Sequence, residues 1–337
     1  MGRKSRATGR VTLDDVAQAA EVSRITASRV LRGERVGEEL AVRVRAAATA
    51  LGYVPDPAAR ALASARSTHV VVLVPMLSNA LFVDLLEAVH RVLFPAGYQA
   101  MIGVTHYDAE EEELLLRSYL AHRPAGLLVT GFDRTEAGRH LIASSGVPCV
   151  HLMETTEAPG VHCVGFSQIE AGAAMTEHLL SRGHTRIAFA AAQLDRRTLQ
   201  RAEGYRRALR SAGHYDPRLE QLSPERSSLR LGSELFESLL KDHPDVEAIF
   251  FGNDDLAQGG LLAAQRAGIA VPEGVAIAGF NDVAGSDQLV PPLTTVRTPR
   301  AEVGEAGARM LLQLMQGQRP VQSSIRLPYT VIVRGSA

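Results

Sequence analysis

Residues 12–29 combine side chains that suit contact with nucleic acid. Arg24 and Arg29 carry guanidinium groups, which pair bidentately with O6 and N7 of guanine, and Ile25 offers an apolar contact such as one to a thymine methyl. Nearby hydroxyl groups suit phosphate oxygens, which orient a protein without reading sequence; they belong to Thr12, Ser23, Thr26 and Ser28. These residues predict a nucleic-acid interface. The alternative is an ordinary solvated surface.

A second set of polar side chains follows apolar runs near residues 251 and 280. Asn253 and Asp255 come after the first run and Asn281 after the second, and Arg201 lies on a helix predicted to begin near Thr198. Short polar groups at strand ends can bind the hydroxyls of a ligand, and arginine can fork onto a carboxylate or a hydroxyl pair. The alternative role is helix capping or strand-end hydrogen bonding. His151 and His106 would add positive charge to the site if their side chains face the ligand.

Charge is divided unevenly along the 337 residues. Residues 1–66 hold 12 Lys and Arg against 7 Asp and Glu, whereas the rest of the chain holds 24 against 30. A basic head on an acidic body indicates an anionic partner for the head, with nucleic acid or a membrane surface as the alternatives.

Several classes of protein are disfavoured. The two cysteines, Cys149 and Cys163, have no metal-binding spacing and indicate a reducing compartment. The sequence has no dinucleotide, nucleotide-phosphate, zinc-protease or hydrolase motif, so we expect no cofactor, no metal and no enzyme activity. No apolar run approaches the roughly 18 residues of a membrane span, and the basic N-terminus leads into a polar helix instead of a secretory signal. We therefore expect a cytoplasmic protein with no membrane partner.

The predicted DNA-contacting residues lie in a helical pattern. Thr12 with Asp15 is a capping signal for a helix that ends at about Ala20, and Ser23 is an N-cap for a helix that begins at about Arg24. Two short helices joined by a tight turn predict a helix-turn-helix within residues 1–54.

Residues 55–68 form an Ala-rich segment. Asp56 can cap a helix with Pro57 at its first position, but about nine residues are too few for a helix stable alone in water. We expect this hinge helix to fold only when it packs against a partner. The alternative is a plain interdomain linker.

After residue 68 the pattern alternates short apolar strands with helices. The strands are predicted at 70–75, 125–130, 147–152, 186–191, 246–251 and 275–280. This pattern is typical of an α/β body with doubly wound parallel sheets, and its number of elements predicts two sheets with a cleft between them. We assign residues 69–337 to this body. Its N-subdomain is expected at about 69–166 plus 297–325, and its C-subdomain at about 167–296 plus 326–337.

Nearly the whole chain resembles the Lac repressor-type transcription regulators. Residues 11–31 and 51–55 are similar to the head of that family. The body carries matching motifs, which are SRGHTRI at 181–187, GNDDLA at 252–257, AGFND at 278–282 and PPLTT at 291–295. The resemblance implies a homodimeric repressor with a periplasmic-binding-protein-like body, which binds double-stranded operator DNA and a small-molecule effector. The alternatives are a small-molecule binding protein without operator control and an enzyme on the same body.

The resemblance also assigns roles to residues of the head. Arg24 and Ile25 match the variable specificity positions, Arg29 matches a more general base contact, and Leu62 matches a leucine that wedges into the minor groove. Tyr53 lies in the matching segment and joins the DNA-contacting set. Glu21 departs from the pattern, because the family usually has glycine at this turn position. If the turn requires a positive φ, glutamate costs roughly 1 kcal/mol there.

In the body, the resemblance places Arg201 and Asn253 at sugar-contacting positions and Phe82 at an aromatic that covers the ligand. The whole predicted effector site consists of Phe82, His151, Met153, Phe166, Arg201, Asn253, Asp255 and Asn281. The family commonly has aspartate where this chain has Asn281, and aspartate or asparagine where it has Met153. The loss of those carboxylates favours a negatively charged ligand over a neutral sugar. The segments PCVHLME at 148–154, VGF at 164–166 and QLDRRT at 193–198 resemble the repressors of gluconate and ketogluconate use. A sugar acid is therefore the expected effector. Whether it releases DNA or tightens binding stays open, and so does the neutral sugar or purine alternative.

The oligomeric state follows from the last strand-like run. Only four residues, 334–337, come after the run at 329–333, which leaves no leucine heptads for a tetramer-forming bundle. We expect a dimer that uses faces of the α/β body.

Overall fold

The computed structural model describes residues 11–54, 67–77 and 80–337. The chain forms two compact units, residues 1–68 and 69–337. The predicted hinge helix and Leu62 lie outside the described residues. No helix in the described part of the chain is both long and apolar enough to cross a membrane.

The first unit contains three helices, α1 (Leu13–Ala19), α2 (Arg24–Leu31) and α3 (Glu38–Ala50). The helix-turn-helix prediction is confirmed, including the caps: Thr12 and Asp15 form a reciprocal capping box, and the Ser23 hydroxyl accepts from the Thr26 amide at 3.1 Å. A small apolar core joins the helices and includes Val16, Ala27, Val30 and Val44.

The second unit alternates strands and helices. In chain order they are β1 (His69–Val74), α4 (Ala80–Leu93), β2 (Gln99–Val104), α5 (Ala109–Ala121), β3 (Gly126–Thr130), α6 (Glu136–Ser145), β4 (Cys149–Met153), β5 (Cys163–Gly165), α7 (Gln168–Ser181), β6 (Ile187–Ala192), α8 (Arg196–Ala212), a 3₁₀ turn (Pro217–Leu219), β7 (Glu220–Ser223), α9 (Leu229–Asp242), β8 (Ala248–Phe251), α10 (Asp254–Ala267), β9 (Ala276–Ala278), β10 (Thr295–Arg297), α11 (Arg300–Met315), β11 (Ser324–Arg326) and β12 (Thr330–Ile332).

Two parallel sheets organise this unit. The first has the order β11-β5-β4-β3-β1-β2, the second has the order β7-β6-β8-β9, and a short antiparallel pair joins β10 to β12. The inner strands β1, β3, β6 and β8 are almost wholly buried, as expected for strands covered by helices on both faces. The predicted fold class, a helix-turn-helix head with an α/β body of two parallel sheets, is confirmed.

The chain passes between the sheets more than once. After the second sheet, α11 packs against α4, and β11 pairs with β5 at the edge of the first sheet. The C-terminal segment then returns to the second sheet, where the Ser336 hydroxyl donates to the Ile277 carbonyl at 2.6 Å. We refer to the first sheet with its helices as the N-subdomain and to the second as the C-subdomain.

Helices α7 and α8 pack with almost no space between their backbones. A Cβ at Gly204 would lie 2.0 Å from the Ile169 carbonyl oxygen, so only glycine permits this approach. The close packing fixes the N-terminal turns of both helices, which carry Gln168 and Arg201.

Candidate functional site

Helix α2 presents its N-terminal half to solvent. Ile25 is 72% exposed and Arg24 and Arg29 are exposed, whereas Ala27 and Val30 on the other face are buried in the head core. An exposed isoleucine with two arginines on one short helix can offer an apolar contact and charged donors to base edges. The structure therefore brings the three predicted base-contacting residues together on one face.

Most of the predicted phosphate-contacting hydroxyls already have hydrogen-bond partners within the head. The Thr12 hydroxyl donates to Asp15 Oδ2 at 2.8 Å, and the hydroxyls of Ser23 and Thr26 lie 2.9 Å apart. The hydroxyls of Thr12 and Ser23 act first as helix caps, the Thr26 hydroxyl contacts that of Ser23, and Ser28 is half-buried. Tyr53 packs against the head core with part of its surface exposed.

Carboxylates of the head pair with the arginines of α2. Arg24 Nε lies 3.4 Å from Asp14 Oδ1, and Arg29 Nε donates to Glu34 Oε2 at 3.1 Å. Both pairs are exposed, so each is worth at most about 1 kcal/mol and is weakened by salt. Such contacts do not prevent the arginines from reaching a stronger anionic partner.

The turn between α1 and α2 has the positive φ at which a glutamate is costly. Glu21 has φ 51°, in the left-handed region that favours glycine. Arg43 of α3 compensates: its Nη2 donates to the Ala20 carbonyl at 2.6 Å and lies 3.3 Å from Glu21 Oε2. The helix-turn-helix thus keeps its geometry with a charged residue at the turn.

A cavity of about 670 Å³ lies where the carboxyl ends of strands β1 to β4 meet the start of α8. Parallel sheets place ligands beyond the carboxyl ends of their strands, as predicted. The cavity is lined by residues of both subdomains, namely Pro75, Thr105, Tyr107, Asp108, Glu112, Thr130, Gly131, Asp133, Glu154, Ile169, Gln193, Leu194, Asp195, Arg196, Arg197, Leu199, Gln200 and Glu203.

Strained backbone borders the cavity from both sides. In the loop after β2, His106 has φ 48° and Tyr107 has φ 60°; in the loop after β6, Gln193 has φ 67°. Such conformations cost of order 1–3 kcal/mol each and cluster at ligand sites. The strain supports a binding role for the cavity.

One ion pair dominates the C-subdomain wall. Asp195 caps α8 by accepting from the Thr198 amide at 2.9 Å, and its second oxygen accepts from Arg197 Nε at 3.0 Å. Burial disfavours the charged forms of Asp195 and Arg197. The positive charges of Arg197 and Arg201 nevertheless hold the pKa of Asp195 below its usual value, and the negative charge of Asp195 raises the pKa of Arg197. Both groups are therefore ionised at neutral pH.

Arg196 connects the two walls of the cavity. Its backbone amide donates to Asp133 Oδ2 at 2.8 Å, and its Nε lies 3.4 Å from Glu154 Oε1. Glu154 is buried, which raises its pKa, while Arg197 and Arg196 act in the opposite direction. These contacts hold the subdomains together across the cleft.

Arg201 does not line the cavity. Its guanidinium group is buried, its Nε donates to Gln168 Oε1 at 2.9 Å, and its Nη1 donates to the Gly252 carbonyl at 2.6 Å. The guanidinium carbon lies 4.3 Å from the centre of the Phe280 ring. Burial lowers the pKa of Arg201 to about 10, so it remains charged at neutral pH. In this structure Arg201 joins α7, β8 and the strand-end segment at residue 280.

The other predicted C-subdomain residues also lie outside the cavity lining. Asn253 caps α10, accepting from the Leu256 amide at 3.0 Å, and donates to Ser227 Oγ at 2.8 Å. Asp255 is half-buried, and burial raises its pKa. Asn281 is buried with φ 116°, and its Oδ1 has no hydrogen-bond partner among the described residues.

Three predicted apolar residues belong to the core. Phe82 is fully buried in it, Met153 is 2% exposed, and Phe166 stacks on Phe280 with ring centres 6.5 Å apart. The expectation that replacing an acidic residue at position 153 leaves less repulsion for an anion is wrong for this cavity. Met153 has φ 74°, the strand ends there, and the next side chain, Glu154, lines the cavity.

The expectation that His151 adds positive charge is also wrong. Arg134 Nη1 donates to His151 Nδ1 at 3.0 Å, and the imidazole stacks on Phe132. Burial and the charge of Arg134 lower the pKa of His151 to about 4, so the ring is neutral. Arg134 is itself paired with Glu112 at 2.7 Å, with both side chains almost fully buried. His106 pairs with Glu111 on the surface at 2.9 Å and does not line the cavity.

The cavity thus contains functional candidates that the sequence analysis did not select. Asp195, Arg197 and Glu154 lie within the segments 148–154 and 193–198, which resembled a subgroup of regulators but received no site assignment except at His151 and Met153. The available signal was an N-cap aspartate directly after a buried strand, followed by arginines. That arrangement places charge at the carboxyl edge of a parallel sheet.

Known proteins match the chain along its whole length. A model of the bacterial regulatory proteins of the lacI family matches residues 12–56, and a periplasmic binding protein-like domain matches residues 176–337. The HTH-type transcriptional regulator GntR of Pseudomonas aeruginosa is 54% identical over 99% of this chain and 98% of its own. This chain belongs to the LacI family of transcriptional regulators. The GntR regulator of Escherichia coli is 35% identical over 97% of this chain and 98% of its own.

Solved structures of LacI-family regulators agree with this fold. The transcription regulator GntR from Chromobacterium violaceum covers 80% of this chain and 98% of its own, with 46% identity and a TM-score of 0.78. The Lac repressor dimer bound to operator and the anti-inducer ONPF covers 97% of this chain and 99% of its own, with 25% identity and a TM-score of 0.87. Like its relatives, this LacI-family protein is a DNA-binding repressor with an effector-binding domain.

Proposed function

We propose that this protein represses a sugar-acid catabolic operon and that a sugar acid such as gluconate or 2-ketogluconate controls it from the cavity between the subdomains. The observation that carries the effector proposal is the composition of the cavity. Buried Arg197 can pair with a carboxylate, while Asp133, Glu154 and the other acidic side chains accept hydrogen bonds from hydroxyl groups. A sugar acid offers both kinds of group on one small molecule.

The head supports the operator part of the proposal. Arg24, Ile25 and Arg29 occupy one exposed face of α2, which suits base edges in the major groove. The resemblance adds Leu62 as a minor-groove wedge, which remains a prediction from sequence. Because the protein acts on DNA, we also propose that it is cytoplasmic.

Calorimetry on the purified protein tests the effector. The panel contains aldonic acids, ketoaldonic acids, neutral sugars and purines. We expect saturable binding of at least one sugar acid and weaker binding of the neutral sugars. Tight binding of a neutral sugar or a purine, with no response to any sugar acid, contradicts the effector proposal and leaves the repressor assignment unchanged.

We also propose a homodimer formed through the N-subdomain. Apolar side chains are exposed along this subdomain: Val83 (48%) on α4, Phe94 (61%) in the turn directly after α4, and Ile102 (43%) on β2, which is an edge strand. Exposed apolar groups on an edge strand and its neighbouring helix favour a second copy of the chain. Sedimentation velocity should give a dimer that Ile102→Lys weakens. A tetramer at micromolar concentration contradicts the proposal.

A further inference from the structure

Two exposed carboxylates lie beside the arginines of α2 that are proposed to contact bases. Asp14 of α1 is 3.4 Å from Arg24, and Glu34, just after α2, accepts from Arg29 at 3.1 Å. DNA is a polyanion and repels carboxylates, so acidic groups at this surface weaken the general attraction of the head for DNA. Their position next to the two arginines points to a role in how those side chains are presented.

Both ion pairs use the same atom of the arginine, Nε. The closest atoms of the first pair are Arg24 Nε and Asp14 Oδ1, and in the second pair Arg29 Nε donates to Glu34 Oε2. A guanidinium group carries five N–H donors in one rigid plane, so a partner at Nε leaves the terminal nitrogens Nη1 and Nη2 for another acceptor. Among the described residues, neither arginine donates a hydrogen bond through these nitrogens. The end of the group that pairs with O6 and N7 of guanine is therefore open.

The backbone holds both carboxylates in place. Asp14 lies in the first turn of α1, next to Asp15 of the capping box. The Glu34 amide donates to the Arg29 carbonyl at 3.0 Å, and Gly33 has φ 75°, so the chain turns back over the last turn of α2 and brings the Glu34 side chain to the arginine. A fixed carboxylate restricts the rotamers of a long arginine side chain, which would otherwise lose that freedom only on binding DNA.

The two carboxylates differ in the number of arginines that they contact. Glu34 is shared, because its Oε1 also lies 3.0 Å from Arg32 Nη2. Asp14 forms an ion pair with Arg24 alone within the described part of the chain. A change at Asp14 therefore releases one base-facing side chain, which makes it the simpler position to test.

We infer that Asp14 and Glu34 are positioning residues for base recognition. Each holds the Nε of its arginine, Arg24 or Arg29, and leaves the terminal nitrogens available to a guanine edge. The carboxylates thus reduce general affinity for DNA and increase discrimination between bases. This inference rests on the proposed docking of α2 in the major groove and adds the residues that prepare the arginines for it.

The experiment compares the base preferences of full-length variants on a pool of double-stranded DNA with a randomised core. Sequencing of the bound and unbound fractions gives the relative affinity for each base at each position, and titration with random-sequence DNA gives the general affinity. Asp14→Ala removes the acceptor. Glu39→Ala is the control, because Glu39 is an exposed acidic residue in the first turn of α3 and carries the same charge. Arg24→Ala and the double variant Asp14→Ala/Arg24→Ala complete a double-mutant cycle.

In Asp14→Ala we expect the base preference to fall about two- to fivefold at the position that Arg24→Ala also alters, which is the range for an exposed ion pair. Affinity for random DNA should rise in both Asp14→Ala and Glu39→Ala, because each removes one negative charge, but Glu39→Ala should leave every base preference unchanged. In the Arg24→Ala background, Asp14→Ala should alter no base preference. Glu34→Ala should lower the preference at the position that Arg29→Ala alters.

The possible failures are distinguishable. An unchanged base preference in Asp14→Ala or Glu34→Ala overturns the positioning role of that residue and leaves the docking of α2 standing. The same change in Glu39→Ala, or a change by Asp14→Ala that persists in the Arg24→Ala background, also overturns the positioning role, because the carboxylate then acts without its arginine. If Arg24→Ala itself alters no base preference, the proposed docking fails and the positioning role of Asp14 fails with it.

Discussion

Replacing Glu21 by glycine should stabilise the head relative to replacing it by alanine. Glu21 is held at φ 51°, where a residue with a Cβ costs about 1–2 kcal/mol. Glycine removes that cost but has greater freedom in the unfolded chain, which returns about 0.5–1 kcal/mol. Both variants lose the Arg43 ion pair, in which the Glu21 side chain is 87% exposed, and both keep the Arg43 contact to the Ala20 carbonyl. The net advantage of glycine over alanine is therefore about 1 kcal/mol.

Hydrogen exchange on the full-length protein measures this difference at the amides of α1 and α3. Exchange through opening of the head should be about fivefold slower in Glu21→Gly than in Glu21→Ala, which is the factor for 1 kcal/mol. Glu21→Gln keeps the Cβ and removes only the charge, so it measures the Arg43 ion pair alone; it should exchange at most about fivefold faster than the unaltered protein, since an exposed ion pair contributes at most about 1 kcal/mol. Equal exchange in the glycine and alanine variants would show that the turn is not strained and would refute the reasoning.

Two further predictions concern the head and the body. Arg24→Ala and Ile25→Ala should change the preference for individual operator bases. Removing Arg3, Lys4 and Arg6 should weaken binding to all DNA alike, because counterion release is independent of sequence. Competition binding with single-base substitutions checks both, and an unchanged base profile for the two α2 variants contradicts the docking. Glu112→Ala should destabilise the body by about 3–5 kcal/mol in urea denaturation, because it leaves Arg134 buried without its partner, whereas Glu112→Leu/Arg134→Met should recover most of the loss. A single variant no less stable than the double one contradicts the importance of that pair.

Buried strands were the elements most predictable from sequence. The runs at 186–191 and 246–251 predict β6 (Ile187–Ala192) and β8 (Ala248–Phe251), because inner strands of a parallel sheet are apolar on both faces. The edge strand β2 (Gln99–Val104) was missed. Only Gly103 is buried in it, so its sequence lacks the continuous apolar run.

The cavity was less predictable, for two physical reasons. The guanidinium group of Arg201 donates hydrogen bonds to Gln168 and to the Gly252 carbonyl, which lie 33 and 51 residues away in the chain. No local sequence pattern predicts these two contacts. At the end of β4, the positive φ of Met153 interrupts the alternation of the strand, and Glu154 lines the cavity in its place. Both effects arise from tertiary contacts and not from residue type.

The most direct test of the account is a fluorescence titration of genomic operator fragments with the purified protein at physiological salt, with and without gluconate. The account predicts saturable binding to particular fragments, well above binding to random DNA of equal length, and a shift in that affinity when gluconate is added. Binding that does not distinguish the fragments from random DNA would contradict the repressor assignment. Selective binding that no sugar acid alters would contradict its control from the cavity.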